Sequence, residues 1–212
     1  MLCVYLHKSV LVKKIYFTSV LVLFCVSVFC QTAKEYSNAA VDKINSKDYT
    51  GAIEDLTKAI ALEPAKDNPY YNRGIAKYYL KDYNGALADY LEAIKLAPGK
   101  REYYHNRGIV KYRLRDFKGA IEDYTKAIEI SATGVDDYHA RANAKYDTQD
   151  FKGAIEDYTK AIEVDATYGA AWYKRGMAKI ISGAKEEGCA DLQKADVLGI
   201  EKAKEDLLKL CK

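Results

Sequence analysis

The 212 residues are 49% hydrophobic and 30% charged, with three prolines, which is too apolar for a disordered chain and rich in helix-favouring Ala, Lys, Glu, Ile and Leu. The formal net charge of +3 rests on Lys8, Lys13 and Lys14; the remainder of the chain balances 30 basic against 30 acidic side chains. That balance argues against nucleic-acid binding by bulk electrostatics, and no basic run is present to hold an anionic membrane.

Residues 1–14 contain lysines and no acid, and Ile15 to Cys30 then runs for sixteen residues without a charge. A basic start before a short apolar core predicts a secretory signal peptide over residues 1–30, cleaved before Gln31. The alternative is an uncleaved anchor, although a membrane span needs about 20 residues. A lipoprotein reading through Cys30 is weaker, because bulky Phe29 precedes it.

From Ala33 onward the chain repeats. DFKGAIEDYTKAIE occurs at Asp116 to Glu129 and again, unchanged, 34 residues later at Asp150 to Glu163. Looser copies begin at Asp48 and Asp82. Five units fit this period, 33–66, 67–100, 101–134, 135–168 and 169–202, followed by a short segment, 203–212. A fixed period of this length predicts stacked supersecondary units, and a stack of similar units offers a long surface rather than one asymmetric catalytic constellation. Each unit carries two helical patterns, near Asn68 to Leu80 and Tyr83 to Leu96 in the second. Asp48, Asp82, Asp116 and Asp150 sit at the turn within the unit, where a carboxylate accepts backbone N–H groups of the second helix.

Small residues recur at unit position 8 (Ala40, Gly74, Gly108, Ala142, Gly176), at position 20 and at position 27. Large ones recur at position 4 (Tyr36, Tyr70, Tyr104, Tyr138, Trp172) and position 24 (Leu56, Tyr90, Tyr124, Tyr158, Leu192). Small against large at helical spacing interlocks antiparallel helices. With the 34-residue period, this pattern resembles the tetratricopeptide repeat. The resemblance implies an all-α, right-handed α-solenoid of five helix pairs with a C-terminal capping helix over 203–212, in which Leu207, Leu208 and Leu210 supply apolar surface. It also implies a non-enzymatic scaffold or adaptor that holds a protein or peptide in its concave groove, with no cofactor. A self-associating component of a cell-envelope complex is the alternative, and an enzyme or small-ligand receptor the third.

The same resemblance places positions 2, 5, 9, 12 and 13 of the first helices on the groove, with position 6 nearby. The candidate binding residues are therefore Tyr71, Asn72, Ile75, Tyr78 and Tyr79, then His105, Asn106, Ile109 and Tyr112, then His139, Asn143 and Tyr146, and finally Tyr173 and Met177. Tyrosines at position 12 can equally pack between neighbouring helices. One branch of the family grips acidic chaperone tails with Lys at position 5 and Asn at position 9. Here Ser37, Tyr71 and His105 replace the Lys and Val41, Ile75 and Ile109 the Asn, so that activity is not expected.

The sequence departs from the family in a charge ladder. Position 7 is Arg73, Arg107, Arg141 and Arg175 in units two to five, and position 23 is Asp55, Asp89, Asp123, Asp157 and Asp191. Unit one has Ala39 at position 7 yet keeps Asp55. This predicts that each Arg reaches back one unit, giving Arg73–Asp55, Arg107–Asp89, Arg141–Asp123 and Arg175–Asp157, with Lys209 left for Asp191. The rival reading has the arginines facing the groove.

Beyond the leader the chain keeps Cys189 and Cys211, which are either a disulfide across the last helices or two buried thiols. His105 and His139 share position 5 of adjacent units, but without a thiol or carboxylate in pattern they make a poor metal site. No Cys-x-x-Cys, His-Glu-x-x-His, phosphate loop or Gly-x-Ser-x-Gly occurs.

Overall fold

A computed structural model describes residues 32–212; the signal-peptide expectation for residues 1–30 lies outside them. The described residues form eleven α-helices and no strand: α1 (Ala33–Asn45), α2 (Tyr49–Leu62), α3 (Asp67–Tyr79), α4 (Tyr83–Leu96), α5 (Arg101–Arg113), α6 (Phe117–Ile130), α7 (Val135–Asp147), α8 (Phe151–Val164), α9 (Gly169–Ile181), α10 (Lys185–Val197) and α11 (Glu201–Leu210). None of these helices is long and apolar enough to cross a membrane.

The turn inside each of the first four units is set by two adjacent residues. Lys47, Lys81, Arg115 and Gln149 adopt left-handed backbone, with φ between 63° and 66°. In the first of these turns Lys47 N–H bonds Ile44 C=O at 3.0 Å and Asp48 N–H bonds Lys43 C=O at 2.8 Å, closing a Schellman motif. The aspartate that follows then caps the second helix: Asp48, Asp82, Asp116 and Asp150 accept the N–H of Gly51, Gly85, Gly119 and Gly153 at 2.9 to 3.0 Å. A Cβ at Gly85 would stand 2.1 Å from the Asp82 carboxylate, so the glycine is part of the cap. The fifth unit lacks the aspartate; Gly183 takes the left-handed turn at φ 93°, and Ala184 offers no side-chain cap.

Helices within a unit close on the small residues. Ala40, Ala52, Ala59, Ala86, Ala93, Ala120 and Ala127 are fully buried. The Tyr124 ring lies so close to Gly108 that a Cβ there would sit 2.7 Å from a ring carbon. The capping helix begins at Glu201, two residues before the expected start, and its buried side chains are Ala203 and Asp206. Of the expected leucines, Leu207 and Leu210 are half-buried, whereas Leu208 is 62% exposed. Tyr173 also donates to Asp206 at 2.8 Å. Cys189 and Cys211 form a disulfide, with Cα atoms 5.8 Å apart, tying the residue after α11 to α10.

The ladder exists, but its partners differ from the expectation. Arg73 binds Asp89, Arg107 binds Asp123, Arg141 binds Asp157 and Arg175 binds Asp191, each through two nitrogens at 2.6 to 2.9 Å. These pairs lie within a unit, because positions 7 and 23 face each other across its two helices. The Lys at position 11, one helical turn further along, adds a second cation: Lys77–Asp89, Lys111–Asp123, Lys145–Asp157 and Lys179–Asp191 at 2.7 to 2.9 Å. In unit one that lysine suffices, since Lys43 meets Asp55 at 2.6 Å. Ala39 therefore never implied a partner from the next unit. Lys209 pairs with Glu205 and not with Asp191.

Three of the four arginines still reach the preceding unit, but through a hydroxyl. Nη1 of Arg73, Arg141 and Arg175 donates to Thr57, Thr125 and Thr159 at 3.0 to 3.1 Å. Leu91 occupies the corresponding place before Arg107. The guanidinium planes lie over the position-4 aromatics, from 4.8 Å at Trp172 to 5.9 Å at Tyr138. One side chain thus joins the ion pair, the aromatic stack and the neighbouring unit.

Candidate functional site: the face of the first helices

Consecutive first helices touch one another, α1 with α3, α3 with α5 and α5 with α7. Their exposed faces therefore converge into the inner surface of the stack. Midway along it, a cavity of about 330 Å³ is lined by Tyr78, Ile109, Tyr112, Arg113, Tyr124, Ala140 and Asn143. Three successive units contribute to it.

Four candidates from the sequence meet there: Tyr78, Ile109, Tyr112 and Asn143. The position-12 tyrosines both pack and line the groove. Tyr112 and Tyr146 stand edge-on to Phe117 and Phe151 of their own units, with centroids 5.4 and 5.3 Å away. The Tyr112 hydroxyl donates to Asp147 of the next unit. Burial first, and then this bond, push its pKa up to about 12, so the phenol stays a neutral donor. The Asn143 carboxamide oxygen accepts the Tyr158 hydroxyl at 2.7 Å. Arg113, Tyr124 and Ala140 were not among the groove candidates. Arg113 shares unit position 13 with Tyr79 and was legible on that ground. Tyr124 was assigned wholly to packing, yet it floors the cavity.

The other candidates are spread along the same face in different roles. Tyr71 packs on Tyr103 at 4.7 Å and accepts from the Asn106 amide at 2.7 Å. Tyr79 stacks on Tyr49 at 4.8 Å and is 56% exposed at the rim. Ile75 packs beside Ala86 and Tyr90. Asn72 and Met177 are half-buried outside the cavity, and Tyr173 is committed to Asp206.

The two histidines do not act as a pair. His105 Nδ1 lies 2.6 Å from the fully buried Asp137 carboxylate, which also accepts from Arg101. This cluster joins the third and fourth units. His139 sits against Tyr158 and Tyr168, at 5.7 and 5.2 Å, and its Nε2 is buried with no partner among the described residues. Burial, followed by the Lys174 charge, lowers its pKa to about 4. No group of three metal-ligating side chains occurs among the described residues.

Helix pairs stacked at a 34-residue interval around an inner groove define a helical repeat solenoid. Tetratricopeptide-repeat models match residues 68–100, 101–133 and 138–168. Residues 68–168 thus carry tetratricopeptide repeats. Solved structures of the same fold include MamA from Desulfovibrio magneticus RS-1 (residues 41 to the end), at 20% identity and a TM-score of 0.74 over 78% of this chain and 94% of that one. Another crystal structure of MamA aligns at 22% identity and a TM-score of 0.75, over 83% and 96%. YrrB, described as a TPR protein with an unusual peptide-binding site, aligns at 17% identity and a TM-score of 0.75, over 89% and 97%. At these identities the likeness concerns the fold. No curated protein sequence matches the chain.

Proposed function

We propose that this chain is a non-enzymatic scaffold that holds a segment of a partner protein, or a peptide, along the face of its first helices. The observation that carries this reading is the cavity built from Tyr78, Ile109, Tyr112, Tyr124 and Asn143 across three units. Rigid aromatic rings with two torsions each supply contact area at small entropic cost, and amide groups between them supply adaptable hydrogen bonds. The peptide-binding site of the similarly folded YrrB supports the same use of the fold. Ile109→Arg places a charge in the cavity without touching the ladder. Partner captured on the full chain from its native compartment is expected to fall at least tenfold with this variant. Equal capture by both proteins contradicts the reading.

The chain is further proposed to work after export. The charge-free run from Ile15 to Cys30 and the Cys189–Cys211 disulfide both support an oxidising destination. Self-association is the second reading, and it draws on Val197 and Leu208, 79% and 62% exposed at the C-terminal end. Sizing the exported protein separates the two: an elution volume of one chain that persists at high concentration removes self-association.

A further inference from the structure

A second cavity of about 390 Å³ adjoins the first and shares Tyr112 and Arg113 with it; Arg115, Phe117 and Asp147 complete its lining. Its charges are distinctive. The ladder arginines are each locked to an aspartate, whereas neither Arg113 nor Arg115 makes an ion pair among the described residues. Both are exposed. Arg113 lines the first cavity together with Tyr78. Arg115 lies over the Phe117 ring with its guanidinium carbon 5.6 Å from the centroid, so it is held beside the opening. The facing carboxylate, Asp147, already accepts the Tyr112 hydroxyl. Two cations and one anion thus border a hollow whose wall is the same tyrosine that lines the apolar cavity.

Resting on the scaffold reading above, we infer that the partner segment is an acidic–apolar peptide. One apolar or aromatic side chain fills the hollow between Ile109, Tyr112 and Tyr124, and a carboxylate one to three residues away pairs with Arg113 and Arg115. An extended peptide advances about 3.3 Å per residue, so such a spacing covers two cavities that share a wall. Guanidinium groups suit this task because their planar fork meets a carboxylate at two points. Their exposure makes the contact salt-sensitive, and it sets which peptides enter more than how tightly any peptide binds.

The test uses a displayed library of random linear peptides selected on the full chain. Enriched peptides are expected to carry Asp or Glu within three residues of an aromatic or aliphatic side chain. Their affinity should fall at least tenfold on Arg113→Glu/Arg115→Glu and by a smaller factor on Arg113→Gln/Arg115→Gln, with an unchanged helical circular-dichroism spectrum. Replacing the peptide's acidic residue by Lys should recover binding to the Glu variant. Peptides that lose binding on Ile109→Arg but ignore the arginine variants overturn this inference and leave the scaffold reading standing. Peptides indifferent to both changes, or no enrichment at all, overturn both.

Discussion

Removing the aspartate of a ladder pair leaves two half-buried cations without their partner. Asp157 is 4% exposed and takes two bonds from Arg141 and one from Lys145. Asp157→Ala is therefore expected to cost roughly 3–5 kcal/mol in chemical denaturation, much of it from the orphaned Arg141 and Lys145; Arg141→Ala should cost less, because Lys145 still meets Asp157. The double variant should lose less than the sum, by about 0.5–3 kcal/mol. The same cycle on Arg141 and Asp123 should be additive, because Asp123 belongs to Arg107. Coupling in the second cycle and none in the first contradicts the pairing. His139 gives a pH prediction. Its ring is neutral in the folded chain down to about pH 4, whereas in the unfolded chain it gains a proton below about 6.5. Its contribution is unaffected above pH 6.5, and stability declines as pH falls from there to about 4, by up to about 1.4 kcal/mol per pH unit. His139→Phe should flatten that stretch of the stability–pH curve; identical curves for both proteins remove the histidine from it.

The turns and the C-terminal helix are where single elements can be tuned. Lys81 and Gln149 hold left-handed backbone at φ 64° and 65°, a conformation that costs a residue with a Cβ about 1 kcal/mol. Lys81→Gly and Gln149→Gly should each raise stability by a few tenths to about 1 kcal/mol, read from the denaturation midpoint; a loss at both contradicts the turn geometry. α11 depends on the bond between Cys189 and Cys211, 22 residues apart. Cys211→Ser should lower stability by up to about 3 kcal/mol, and amide exchange should accelerate first in α11. The helices and their turns were legible in the sequence because period, aspartate cap and small-residue positions all coincide. The ladder's partners were not. Asp55 with Ala39 pointed to the next unit only if Lys43 was ignored, and one sequence cannot say which of two cations a carboxylate takes. In the capping helix the sequence did not single out Asp206 for a related reason: its partner, Tyr173, lies 33 residues away.

Across the whole molecule, each unit buries a flank that its neighbour would otherwise leave wet, and the arginine–threonine contacts add a polar tie between most neighbours. The resulting inner face was legible as a face but not as a site. Of fourteen candidate groove residues, four share the central cavity. Several of the others are held by partners that lie about one unit away in sequence, as with Tyr71 and Asn106, His105 and Asp137 or Tyr173 and Asp206. Periodicity places a residue on a helix face; it does not say which hydroxyl or carboxylate the next unit presents there. Site-specific photo-crosslinking tests the central claim most directly, with one reactive side chain replacing Ile109 in the cavity and another replacing exposed Lys126 on α6. A partner segment joined through position 109 and not through position 126 is the predicted result, and equal joining at both, or joining at 126 alone, contradicts it.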